Sequence, residues 1–342
     1  MACAEPNIAG HVMLDSIRAV RAVAPAEFGE SRYVAIGYSG GAIAAYAAAM
    51  LAGEYAPELT GLLVGAAAGG LVADNTNVAH RFDGNISSGI LLTVALAVAR
   101  EHPEILGHMN HLAQWVATSP IRDICGDASG PLGIVGLPID VAADTADVLD
   151  SPFAADMFDR LDLSDRTAAV PLYLYHGIHD PWIPLADVEH LYHQQCARGV
   201  PALFRVVGGE HLIGYVTGYP ELGAWIDARL HGTPAPPNAD QTYDRQRRKW
   251  NFGPRVAFQN CCPPGMSTRS SPFPLTSISG RSTPSSRTES HRPPSRFATA
   301  TMRVSCMAWD ARLARSASPR RNSLTWAQKV VPAGFEPATF RV

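Results

Sequence analysis

The chain has 342 residues, 46% of them apolar and 17% charged, with a formal net charge of −3. That balance fits a globular protein with a sizeable core and excludes a highly charged, solvated chain. No run of about 20 apolar residues is present to span a bilayer, and the opening MACAEPNIAGHVMLDS lacks both the basic and the continuous apolar region of a signal peptide.

Charge is divided unevenly. Residues 1–244 carry 28 acidic and 11 basic side chains, whereas residues 245–342 carry 3 acidic and 17 basic. A reversal of that size marks two segments of different kind.

In chain order, IAGHVMLDSIRAVRAVA (8–24) places Ile8, Val12, Ile17 and Val20 near helical spacing and predicts an amphipathic helix. PAEFGES is a loop. RYVAI is a short strand ending at Gly37. Residues 42–51 are almost all Ala, Met, Ile and Leu with Tyr46, a helix suited to close packing. LTGLLVGAAAGG reads as a second buried strand running into a glycine loop. Residues 72–168 predict a mostly helical insertion without a strong strand. VPLYLYHG (170–177) is a strand, LADVEHLYHQQCARG a helix stopping at Gly199, PALFRVVGG a strand, and PELGAWIDARLHG a last helix ending at Gly232. Such alternation implies an α/β fold, a parallel sheet covered by helices on both faces. The core is therefore expected over 1–71 and 169–234, with 72–168 inserted. The remainder, 235–342, is rich in Ser, Arg and Pro without a period and is expected to be disordered.

Gly37-Tyr38-Ser39-Gly40-Gly41 fits G-x-S-x-G between a strand and a helix. A sharp strand-to-helix turn strains the residue at its apex and lifts that side chain clear of the sheet. The residues two positions to either side, Gly37 and Gly41, must then be small. This nucleophile elbow presents the Ser39 hydroxyl, and the following peptide N–H, that of Gly40, is placed to stabilise an oxyanion. A bare tight turn is the competing reading of the pentapeptide.

Serine at its ordinary pKa needs a base, and the base an orienting acid. Asp180 follows one predicted strand in HGIHDPWIP, and His211 follows the next in VVGGEHLIGY. Both stand at carboxyl ends of strands, where ligands bind in open α/β sheets. His176 and His179 are read as shaping the Asp180 loop. His190 and His193 are assigned to a helix, and His108 and His111 to a solvated face of the insertion. Asp187 and Glu210 are rival acids read as helix caps or solvated groups. No cysteine spacing suits a metal; Cys125 and Cys196 are either buried thiols or a pair. Neither a metal nor a cofactor is expected.

With Ser39, Asp180 and His211 assigned, the chain resembles the secretory lipases of the α/β-hydrolase superfamily, found in actinobacteria and in yeasts of the Candida lipase A type. The resemblance rests on LDSIRAVRA, GYSGGAIAAYAA, YAPELTGLLVGAAAGGLVAD, HPEIL, PLYLYHGIHDPWIP, CARGVPALFRVVGGEH and AWIDARLHGTP, from about residue 12 to 234. It implies hydrolysis of acylglycerols or similar esters, secretion, and a helical cap, to which 72–168 corresponds. Ile90, Leu91, Leu92 and Leu96 are then candidates for an acyl pocket or for packing within the cap. The family carries a longer region before the elbow, so the chain reads as N-terminally truncated, with the first strands of the sheet missing. The family's usual Gln after the serine is Gly40, and the tail has no family counterpart. Its ending, VVPAGFEPATFRV, resembles a mistranslated transfer-RNA gene, which makes the tail a candidate translation artefact.

Two classes of function remain: a serine lipase or esterase acting on a lipid or small ester, and an inert hydrolase fragment with an open sheet edge. The basic tail lacks interleaved aromatics or a known module, so no nucleic-acid partner is expected.

Overall fold

A computed structural model describes residues 4–120, 133, 136–235 and 339–341. Cys125 and residues 236–338 of the basic tail lie outside the described residues.

The chain opens with α1 (Pro6–Val23) and a single turn, α2 (Pro25–Phe28). Strand β1 (Tyr33–Tyr38) runs directly into α3 (Gly40–Tyr55), and β2 (Leu63–Gly69) follows. Four helices come next: α4 (Asn75–Phe82), α5 (Ser88–Val98), α6 (His111–Thr118) and α7 (Pro152–Arg160). No strand is present among the described residues between β2 and β3 (Leu172–Gly177). Then come α8 (Leu185–Ala197), β4 (Ala202–Val207) and α9 (His211–Leu230).

The sheet order is β4-β3-β2-β1, all parallel. A short strand, β5 (Thr339–Arg341), pairs antiparallel with Val34, Ala35 and Ile36 on the outer side of β1. These three residues belong to the segment expected to be disordered. The β1 edge offers them unpaired backbone groups, which a parallel neighbour would otherwise take.

Strand alternation divides the core in two. Ala35, Ala66, Ala68, Leu172, Leu174 and Phe204 face a cluster with α1, α3 and α8. Val34, Ala67, Tyr173, Tyr175 and Leu203 face Leu222, Trp225 and Ile226 of α9. Period-two side chains thus give each strand two buried faces, which is why β2 reads as a continuous apolar run. Helix α3 is buried almost all round because the sheet covers one side and α1 the other. Its alanines let both layers approach closely.

The last helix differs from the expectation that it begins near Pro220. It begins at His211 and carries Pro220 within it. HLIGYVTGYP reads as a loop because Gly and Pro are poor helix formers. Packing overrides that preference: a Cβ at Gly218 would lie 2.4 Å from the Tyr175 ring, so a glycine there lets α9 settle on β3. Glu210 starts the helix by accepting hydrogen bonds from Leu212 N and Ile213 N.

Parallel pairing aligns the strand ends. Tyr38 pairs with Gly69, Gly69 with Tyr175, and Tyr175 with Arg205. The turns after β1, β3 and β4 therefore open at one edge of the sheet, from three distant parts of the chain.

Candidate active site

Ser39 lies between β1 and α3 with φ 52° and ψ −121°. A non-glycine residue with positive φ is strained and persists only where its surroundings over-determine it. Here the Ser39 N–H donates to Gly69 O at 2.8 Å, and the Ser39 carbonyl accepts from Ala42 N at 2.9 Å. Both peptide sides of the serine are held. Gly37 allows the sharp turn: a Cβ there would come within 1.9 Å of the Gly41 carbonyl oxygen. Gly41 is buried in the first turn of α3. Gly40 is the first residue of that helix, and first-turn N–H groups have no carbonyl one turn back to serve. A Cβ at Gly40 would meet nothing within 4 Å among the described residues.

His211 opens α9 and is only 4% exposed. Its Nε2 is 2.9 Å from Ser39 Oγ and its Nδ1 is 2.6 Å from Asp180 Oδ2. The structure thus brings Ser39, His211 and Asp180 into one hydrogen-bonded chain across 172 residues of sequence. A carboxylate only accepts, so Nδ1 carries the proton toward Asp180 and Nε2 is left facing the serine hydroxyl.

Asp180 sits in the turn after β3, with its side chain 1% exposed. Its other oxygen, Oδ1, accepts from Trp182 N and Ile183 N, each at 3.0 Å. The sequence Asp180-Pro181-Trp182-Ile183 makes this possible, since aspartate readily bonds the backbone two and three residues on. Burial works against the charge on Asp180. The hydrogen bond and charge of His211, with the Ile183 N–H, outweigh it and hold the carboxyl below its usual pKa. Asp180 is thus an anion aimed at His211.

The rival residues lie elsewhere. Glu210 caps α9, and Asp187 accepts from Asn77 Nδ2 at 2.9 Å, its pKa raised chiefly by burial. His190 and His193 belong to α8. His108 stacks on Phe153 with ring centroids 3.8 Å apart. His176 is fully buried beneath the Asp180 turn, its Nε2 2.9 Å from Ile183 O.

Sequence reasoning missed two aromatic residues. Tyr38, beside the serine, donates its phenol hydrogen to the backbone carbonyl of His211 and lays its ring 5.1 Å from the imidazole. Trp182 meets the imidazole edge-on at 5.2 Å. Neither carries a local signal, because each role depends on a partner far along the chain. Of the suggested acyl-pocket residues, Ile90 and Leu91 are half-buried against the main core, and Leu96 packs on a small cluster of Ala99, Met109 and Ala113. Leu92 is half-buried in α5. Among the described residues no group of three His, Cys, Asp or Glu side chains is gathered for a metal, and no helix is long and apolar enough to cross a membrane.

Residues 4–238 match the family model of the secretory lipases. Lipase 10 of Candida albicans is 33% identical over 245 residues, covering 66% of this chain and 52% of the relative. A secreted triacylglycerol lipase of Malassezia globosa is 30% identical over 237 residues, covering 66% of this chain and 50% of the relative. The chain thus spans about half the length of the curated relatives it matches. Among solved structures, Candida antarctica lipase A in its closed state superposes with a TM-score of 0.60. Identity there is 24%, over 70% of this chain and 58% of that one. At that identity the match speaks for the fold, which is that of the α/β-hydrolases.

Proposed function

The chain belongs to the secretory lipase family, and from that premise we propose that it hydrolyses carboxylic esters, triacylglycerols or smaller esters, through an acyl-enzyme. Ser39 Oγ attacks the ester carbonyl carbon while His211 Nε2 takes its proton. The tetrahedral oxyanion is held by the Gly40 N–H at the positive end of α3. The C–O bond then breaks, and the leaving alcohol receives the proton from the imidazolium. Water, deprotonated by the same nitrogen, attacks the acyl-Ser39 ester and releases the acid and the serine. Asp180 fixes the imidazole tautomer and stabilises its cation throughout. No step in this scheme calls for a cofactor.

The observation that carries the reading is the pair of contacts at His211, 2.9 Å to Ser39 Oγ and 2.6 Å to Asp180 Oδ2. We assign residues 72–168 the role of a cap over the ester. Leu212, Ile213, Val216 and Tyr219 are exposed on α9, which begins at His211, and give this side of the site an apolar surface suited to lipid.

Hydrolysis of p-nitrophenyl butyrate and of emulsified triacylglycerol tests the proposal. Turnover is expected in the wild type, with Ser39→Ala lowering kcat by roughly 10⁶-fold and Asp180→Asn by about 10⁴-fold. Turnover that survives Ser39→Ala, or a folded wild type with none, would overturn it; the latter result would identify an inert member.

A further inference from the structure

We propose that His176 is a positioning residue for the triad: its Nε2–H fastens the Ile183 carbonyl and its ring edge lies beside the Asp180 carboxylate, so that Asp180 Oδ2 points at His211. The inference rests on the hydrolase reading of Ser39, His211 and Asp180.

His176 is the penultimate residue of β3 and is fully buried. Its Nε2 lies 2.9 Å from Ile183 O. A carbonyl oxygen only accepts, so this nitrogen carries the proton. The same nitrogen is 3.5 Å from Asp180 Oδ2, the oxygen that His211 reaches at 2.6 Å. Ile183 is therefore held at both ends. Its N–H donates to Asp180 Oδ1, and its carbonyl accepts from His176. The turn from Asp180 to Ile183 closes around the carboxylate like a ring, and His176 is the side chain that fastens it to the sheet.

The plainer alternative is a histidine that only fills space in the core. The other ring nitrogen argues against it. Nδ1 is buried and has no hydrogen-bond partner among the described residues. Leaving a buried polar atom unpaired is costly, and an apolar ring of similar size would avoid that cost. The imidazole is tolerated there for what its Nε2 edge does. Burial also keeps the ring neutral by lowering its pKa, against the pull of Asp180, which preserves the bare Nδ1 and protonated Nε2.

Two substitutions separate the roles. His176→Phe keeps an aromatic ring and removes the donor. His176→Gln carries an amide N–H at about the reach of Nε2. Ester hydrolysis is measured per mole of fluorophosphonate-titrated Ser39, and the proton shared by His211 and Asp180 is followed by its downfield NMR resonance. H176F is expected to lower kcat by up to about 10²-fold at unchanged KM, the scale of a small misplacement of a catalytic group. The shared-proton resonance is expected to move in H176F. H176Q is expected to restore both most of the way. If H176F fails to fold, His176→Asn, whose amide is too short to reach Ile183, takes its place. Wild-type kcat and an unmoved resonance in the donor-less variant would overturn the inference alone, as would equal losses in H176F and H176Q. A folded wild type that neither labels nor turns over would overturn the hydrolase reading, and this inference with it.

Discussion

Tyr38 joins Ser39 to His211 through the backbone. It is the residue before Ser39, and its hydroxyl holds the carbonyl of His211. Tyr38→Phe removes one donor from that carbonyl, which keeps the helical N–H four residues on in α9, at a cost of about 0.5–1.5 kcal/mol. The expected result is a lower Tm together with a roughly tenfold lower kcat at unchanged KM, since imidazole aim and not ester binding is disturbed. Calorimetry and steady-state kinetics on one preparation check both halves. Gly37 is constrained more severely. An alanine methyl would need the space of the Gly41 carbonyl, 1.9 Å away, and both flanking elements are buried. Gly37→Ala is expected to cost about 3 kcal/mol, the upper end for overpacking, or about 6–12 °C in Tm. Gly40→Ala, with open space around its Cβ, should leave Tm within about 2 °C. A thermal melt of the two variants decides the ranking.

The end of β3 and the turn after it hold two titratable groups that couple this region to stability. His176 has its pKa lowered by burial. In the unfolded chain it takes up a proton near pH 6.5, whereas the native ring stays neutral to lower pH. The unfolded state then binds more protons, so stability falls as pH drops below about 6.5, with a limiting slope of about 1.4 kcal/mol per pH unit. Asp180 acts in a lower window. Its folded pKa is depressed, so its contribution is complete above about pH 4 and is lost as pH falls through the depressed value. Urea unfolding of wild type and H176F at pH 7.5 and 5.5 isolates the first effect. The wild type should lose up to about 1.4 kcal/mol more than the variant over that interval; equal losses would contradict it. Strands β3 and β4 were legible from their apolar runs, and Asp180 and His211 from their places just beyond those runs. The first turns of α9 were not, because Gly214, Gly218 and Pro220 look like a loop until Gly177 and Tyr175 are packed against them. Nor were the roles of Tyr38 and Trp182, which depend on a partner brought near only by the fold, whereas His176, four residues from Asp180, was legible as shaping its loop.

Taken together, four parallel strands suffice to carry Ser39, Asp180 and His211 to one edge. Ser39 follows β1, Asp180 follows β3 and His211 follows β4, while β2 supplies the Gly69 carbonyl that anchors the serine backbone. Helices α1, α3 and α8 on one face and α9 on the other bury both sides of that sheet. Convergence of the three side chains therefore follows from sheet register, not from loop flexibility. The most direct measurement is peptide-mapped mass spectrometry after treatment of the folded protein with a fluorophosphonate. The account predicts a single adduct on Ser39, absent after Ser39→Ala and strongly slowed by His211→Ala. A native chain that stays unmodified, or one labelled on another serine, would contradict it.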